Sequence, residues 1–298
     1  MQEHPAPVPM FGPKSNYLFA QNLDERARLE RQYHLLQEDF SLWFGEALRL
    51  AGLDAGGDWS ALDLGCGEGQ FTRELARRHP RARVTGMDVD EAAIATAVAN
   101  RGAVENVEFA VHDAREPLPA GSEYDVVVMW LVLLYLPDRA GALAQVAAAT
   151  RPGGALLLCN VPDEPTRFSH PVATELVEAS AEMARRFGAV GLEGRLAADL
   201  EAAGFTGVTT AVLRYPLGGG TASGQRWWGH WLATIAATRR AVVDVAGLMD
   251  GAEFDRKVAL LAEAPTLLEH GEWPFLVTLA RRPAGPLPGP AGGGDPEG

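Results

Sequence analysis

The chain has 298 residues, 47% of them apolar, and a formal net charge of −13. That is enough for one large domain or a core with an accessory lid. The acidity argues against a nucleic-acid partner, whose phosphates are gripped by clustered Lys and Arg, and fits a small neutral or cationic ligand better. Its two cysteines, Cys66 and Cys159, offer no disulfide framework, so a reducing compartment is permitted, and the sequence shows no metal-ligand spacing.

Residues 1–14 are proline-rich without the basic start and apolar run of an export signal. The longest nearly unbroken apolar run, 126–136, is too short for a bilayer, so the expectation is a cytoplasmic protein that does not enter a membrane. Residues 1–21 read as a flexible segment and 22–56 as a helical cap. In the cap, Leu23, Leu29, Tyr33, Leu36, Phe40, Trp43, Phe44 and Leu48 recur at three- and four-residue steps between charges. Strands and helices then alternate: strand 60–64, helix 69–78, strand 83–88, helix 90–101, strands 107–111 and 125–131, helix 138–150 and strand 155–160. Such alternation predicts an α/β fold, a mostly parallel sheet with helices on both faces and a ligand at the carboxyl ends of its strands. Helical stretches follow at 171–188 and 195–203, a strand at 207–215, helices at 223–247 and 252–263, and a last strand at 275–280. Residues 57–165 form the expected cofactor core, 166–282 the rest of the core with helical lid insertions, and 283–298 a Pro/Gly/Ala-rich tail expected to be disordered.

The most informative stretch is Asp63-Leu64-Gly65-Cys66-Gly67-Glu68-Gly69, between a predicted strand and helix. Glycines there let backbone approach a ligand where a Cβ would collide. Gly86-Met87-Asp88 places an acid about 20 residues on, the distance at which a βαβ unit returns a carboxylate to a ribose. A dinucleotide loop would put a small residue where Gln70 stands. Instead, the acid followed by G-x-G-x-G resembles motif I of the class I S-adenosylmethionine-dependent methyltransferases. Later landmarks over 59–160 match in order: Asp88, His112-Asp113-Ala114, Tyr124-Asp125 and Arg151-Pro152-Gly153-Gly154.

The resemblance implies a Rossmann-like seven-stranded sheet ending in an antiparallel hairpin, and S-adenosyl-L-methionine as cofactor. Asp63, with Gly65, Cys66, Gly67 and Gly69, would carry the aminoacyl end. Asp88 would take the ribose hydroxyls, beside apolar Val89, while Asp90 caps the next helix. Asp113 and the backbone of Ala114 would read the adenine edge. Trp130 would stand by the sulfonium as a cation–π face or serve as packing. Tyr17 and Arg28 resemble an entry segment over the cofactor, Arg28 pairing with the methionine carboxylate or lying on a solvated face. Tyr33, Tyr135, Trp227 and Trp231 are candidate walls of the acceptor pocket, and His230 is a candidate general base or plain lid packing.

Together these imply a methyltransferase for a small-molecule acceptor, of the kind found in specialised metabolism, acting as a monomer or homodimer without a metal. After strand four the chain reads Met129-Trp130-Leu131-Val132, not the Asn- or Asp-Pro-Pro-aromatic run of base and amide methylases, and that strand ends without the acid a hard divalent ion needs. A cofactor-binding cyclase or regulator, and a nicotinamide oxidoreductase, are the rival classes.

Overall fold

Unbroken apolar runs such as 126–129 mark strands buried on both faces, and they occupy the centre of the sheet. The computed structural model describes residues 25–136, 138–162, 167–186, 194–218, 220–263 and 271–285. Its strands are β1 (Ser60–Leu64), β2 (Arg83–Asp88), β3 (Val107–Val111), β4 (Tyr124–Trp130), β5 (Thr150–Asn160), β6 (Arg167–Phe168), β7 (Thr206–Pro216) and β8 (Gly271–Arg281). They form one sheet in the order β3-β2-β1-β4-β5-β8-β6, with β7 also paired to β8. β1 to β5 are mutually parallel, while β8 runs antiparallel to β5, β6 and β7. The expected seven strands and terminal hairpin are present, with the two-residue β6 as an additional rung.

Side chains alternate between the faces, so each strand feeds two cores. On one face Val126, Val128, Trp130, Leu157, Cys159, Phe275 and Val277 pack beneath α1 (Glu25–Ala51), α2 (Gln70–Arg78), α5 (Pro171–Arg186), α7 (Ala222–Ala237) and α8 (Gly251–Glu263), counted among the helices in chain order. On the other, Leu62, Leu64, Val127, Met129, Leu156, Leu158 and Leu276 meet α4 (Arg139–Ala149) and α6 (Leu196–Ala202). Helix α3 (Glu91–Ala99) follows β2 and is capped by Asp90, as expected.

Three boundaries differ from the sequence reading. The predicted helix 223–247 ends at Ala237 and continues as a π-helical segment, Arg240–Val245. β5 starts at Thr150, because Gly153 at φ 87° lets the strand begin on Arg151-Pro152-Gly153-Gly154. β8 starts at Gly271, because β6 and β7 supply partners upstream of Phe275. Tyr17, the cap residues before Glu25 and the tail beyond residue 285 lie outside the described residues.

Candidate functional site

The register between β1 and β2 sets Asp63 opposite Gly86 and Leu64 opposite Met87, so the glycine turn lies beside Asp88 at the carboxyl edge. Gly65 and Cys66 donate their N–H groups to the Met87 carbonyl at 2.6 and 3.0 Å, and Gly67 donates to Oδ2 of Asp88 at 2.8 Å. The three glycines have φ of 84°, 54° and 73° at positions 65, 67 and 69, and each answers a different neighbour. A Cβ on Gly65 would lie 2.2 Å from a Val132 methyl, and one on Gly69 2.5 Å from the Phe109 ring. A Cβ on Gly67 meets no atom of the described residues within 4 Å, its chain neighbours aside. Two glycines thus accommodate the fold, and Gly67 alone presents bare backbone outward.

Two carboxylates frame that turn. Asp63 is buried and accepts a hydrogen bond from the Thr72 hydroxyl of α2 at 2.6 Å; burial pushes its pKa up to about 6. Asp88 accepts from Gly67 and, through Oδ1, from the Asp90 N–H at 2.9 Å; burial raises its pKa as well. Each Asp88 oxygen keeps a further acceptor site, as two ribose hydroxyls require. The acids Asp63, Glu68 and Asp88 around one turn disfavour a pyrophosphate and suit a sulfonium nucleoside bearing an ammonium group. The residues present therefore fit S-adenosylmethionine. The Cys66 thiol donates to the Gly67 carbonyl at 3.6 Å, and burial holds it far above the usual range, so it stays protonated.

Asp113 follows β3 and is tied by Arg115, whose Nε reaches Oδ1 at 2.9 Å and whose terminal nitrogen reaches Oδ2 at 2.5 Å. The hydrogen bond from that guanidinium is the main cause that holds Asp113 below the usual carboxylate range. Ala114 is half-buried against the core that holds Leu62, Leu64, Val127 and Met129, and Val89 is half-buried beside Asp88. Trp130 packs edge-on against Phe40, with 4.9 Å between ring centroids, and lies 5.8 Å from Phe71. That favours its packing role over an open cation–π face. The turn after it carries a feature the sequence did not signal: Leu131, at φ 61°, is the one non-glycine with positive φ among the described residues. Its N–H bonds the Cys159 carbonyl at 2.7 Å, and the reversal delivers Val132 against Gly65.

The lid begins with α1. Arg26 bonds Glu68 of the glycine turn at 2.6 Å and Thr96 of α3 at 2.9 Å, laying the helix start across the site. Arg28 is buried, pairs with both oxygens of Glu25 at 2.7 and 2.8 Å and reaches Thr234 of α7 at 3.4 Å. The solvated face expected for it is thereby corrected. Tyr33 packs on Phe71 and Tyr135 follows β4 in a single 3-10 turn, burial raising the pKa of both, that of Tyr135 to about 12.

Trp227 stacks on Tyr215 of β7 at 3.9 Å, and the Tyr215 hydroxyl donates to Asp39 of α1 at 2.7 Å. Trp231 stacks with Trp228 and against Phe168. His230 is buried, neither ring nitrogen has a hydrogen-bond partner among the described residues, and burial with the nearby Arg28 and Arg31 pushes its pKa down to about 3. A ring with so low a proton affinity is neutral at pH 7 and a weak proton acceptor, which disfavours the general-base expectation.

Residues 61–154, from β1 through the first turn of β5, match the sequence family described as a methyltransferase domain. Over 145 residues the chain is 34% identical to a trans-aconitate 2-methyltransferase of Methylobacterium radiotolerans, covering 49% of this chain and 54% of that protein. It is 31% identical over 99 residues to a malonyl-[acyl-carrier protein] O-methyltransferase of Halalkalibacterium halodurans, covering 32% and 36%. The chain thus spans about half the length, or less, of the curated relatives it matches. A solved phosphoethanolamine N-methyltransferase 2 of Haemonchus contortus, in complex with S-adenosyl-L-methionine, shares the fold at TM-score 0.57 and 14% identity, covering 92% of this chain and 61% of that one. A solved [4+2]-cyclase shares it at TM-score 0.50 and 20% identity, covering 81% and 80%. With the glycine turn, Asp88 and the strand order in agreement, residues 61–154 carry a methyltransferase domain of the class I S-adenosylmethionine-dependent kind, with S-adenosylmethionine as its cofactor.

Proposed function

We propose that the protein methylates a small-molecule acceptor of the size and apolar character of a specialised metabolite. The observation that carries this reading is the outward-facing bare backbone at Gly67 beside Asp88, beneath a lid whose inner surface is aromatic. When bound there, S-adenosylmethionine supplies an electrophilic methyl group. The protein's part is placement. Asp88 holds the sugar, Asp113 and the backbone of Ala114 border the purine, and Asp63 fixes the turn through Thr72. The helix α1, tied down through Arg26, excludes water over the reacting face. Holding two reactants in line accounts for roughly 7–11 kcal/mol of a barrier, which is why no dedicated acid or base is required. The O-methyltransferase name of one relative supports an oxygen acceptor.

The test is calorimetric titration with S-adenosylhomocysteine, followed by turnover with S-adenosylmethionine. Asp88→Ala should weaken binding by roughly tenfold to a hundredfold, the loss of one or two charge-assisted hydrogen bonds. Unchanged affinity removes the ribose assignment. A second reading, a cyclase that keeps the methyl on sulfur, is favoured by the weakly basic His230 and by the fold shared with the [4+2]-cyclase. Product formation without release of S-adenosylhomocysteine would establish it.

A further inference from the structure

Three consecutive residues of α2 divide the ground around the glycine turn. Phe71 packs against Tyr33 and Phe40 of α1, with ring centroids 5.0 and 4.2 Å apart, and Thr72 donates to Asp63 at 2.6 Å. Arg73 turns back onto the loop, where its Nη1 donates to the Glu68 carbonyl at 2.5 Å. Glu68 directly follows Gly67, whose bare backbone faces outward. Arg73 is 9% exposed, and that carbonyl is the one hydrogen-bond partner of its guanidinium among the described residues. The fold thus buries a cation beside the turn without giving it an acid.

The carboxylates of the turn and of α2 are engaged by other groups. Glu68 pairs with Arg26 at 2.6 Å, Asp63 accepts from Thr72, Glu74 holds Arg77 and Arg78 at 3.7 and 2.7 Å, and Asp88 accepts from the Gly67 and Asp90 N–H groups. A guanidinium keeps its charge whatever its surroundings and offers five donors in a planar fork that matches a carboxylate. Arg73 uses one of them on a neutral carbonyl, so its charge and its remaining donors call for an anion. Arg28, which the sequence singled out for such an anion, is neutralised by both oxygens of Glu25. The amino acid end of the cofactor carries an ammonium and a carboxylate on one carbon atom. Acids that suit the first therefore need a cation next to them for the second, and Arg73 rests on the backbone of Glu68.

Resting on the methyltransferase reading and its cofactor, we propose that Arg73 binds the α-carboxylate of S-adenosylmethionine, in the role first expected of Arg28, and selects the intact amino acid end over nucleosides that lack the carboxylate. A short carbon chain joins that carboxylate to the sulfonium, so fixing one limits where the methyl group can lie. Arg73 is in this sense a positioning residue for the transfer, and the bonds that form and break are those of the cofactor and acceptor alone.

The experiment titrates the purified full chain by calorimetry with two ligands that differ in one group, S-adenosylmethionine and its decarboxylated form, for wild type, Arg73→Met and Arg73→Lys. Arg73→Met should weaken S-adenosylmethionine binding roughly tenfold to a hundredfold, the loss of one charge-assisted pair, and bind the decarboxylated form no more weakly than wild type does. Arg73→Lys, which keeps the charge without the planar fork, should recover part of the loss. Thermal melts of the ligand-free proteins should place Arg73→Met no lower than wild type, because a buried charge without an acid does not hold the fold together. A loss shared equally by both ligands, the mark of a residue that only braces the Glu68 carbonyl, overturns the proposal, and so does unchanged S-adenosylmethionine affinity in Arg73→Met. A wild-type chain that binds neither ligand overturns the cofactor assignment instead, and with it the methyltransferase reading.

Discussion

Glycines 65 and 67 look alike in the sequence, yet their surroundings assign them different work. Gly67→Ala has room for its methyl and suffers only the left-handed backbone, a penalty of about 1–2 kcal/mol. Its Tm should therefore fall by a few degrees while S-adenosylhomocysteine affinity collapses, because the methyl projects into the proposed cofactor site. Gly65→Ala drives a methyl into Val132 and should fold poorly, and adding Val132→Ala should recover much of that stability in thermal melts. Equal losses in both single variants would contradict this division. Asp63 makes a pH prediction. Its folded-state pKa is raised from 3.8 to about 6, so the folded protein holds that proton more tightly than the unfolded chain does. Its contribution to stability therefore declines as pH rises from about 4 to about 6 and stays unfavourable above. Asp63→Asn, which keeps an acceptor for Thr72, should be more stable than wild type at pH 7 by at most about 3 kcal/mol, with the advantage gone near pH 4. Chemical denaturation at both pH values measures it.

At the scale of elements, the period-two and period-3.6 patterns placed β1 to β5 and their helices within a few residues, because each strand and helix must hide its own apolar side. Joints between elements were harder to read. Asn106, just before β3, sends its amide to the carbonyls of Ala76, His79 and Ala82 at 2.9–3.0 Å, tying the end of α2 to the start of β2. As a lone Asn before a strand it carried no signal. Asn106→Leu leaves those carbonyls without their donor and should cost about 1–3 kcal/mol, read as a lower midpoint in urea. An unchanged midpoint would show that solvent replaces the amide. The π-helical segment at 240–245 and the early start of β8 escaped the sequence for a related reason, since both depend on partners brought from elsewhere in the chain.

On the scale of the whole molecule, one apolar core runs from α1 through the sheet to α7, so the helices of the lid are part of the folded body. Binding the cofactor should therefore stabilise the protein as a unit. S-adenosylhomocysteine at about 100 times its Kd should add about 2.7 kcal/mol, raising Tm by several degrees in a single shifted transition. NADH at millimolar concentration should leave Tm unchanged, given the acids around the turn. The sequence by itself determined the α/β alternation, the glycine turn, Asp63, Asp88 and the Asp90 cap, because these follow from spacing within one or two consecutive elements. Only the tertiary structure decided that Arg28 is buried against Glu25, that Leu131 reverses β4 to set Val132 on Gly65, and that His230 is a buried neutral ring beside Trp273 with no hydrogen-bond partner among the described residues. Burial, field and unmet hydrogen bonds at those positions are set by residues distant in the chain, and no local pattern encodes them.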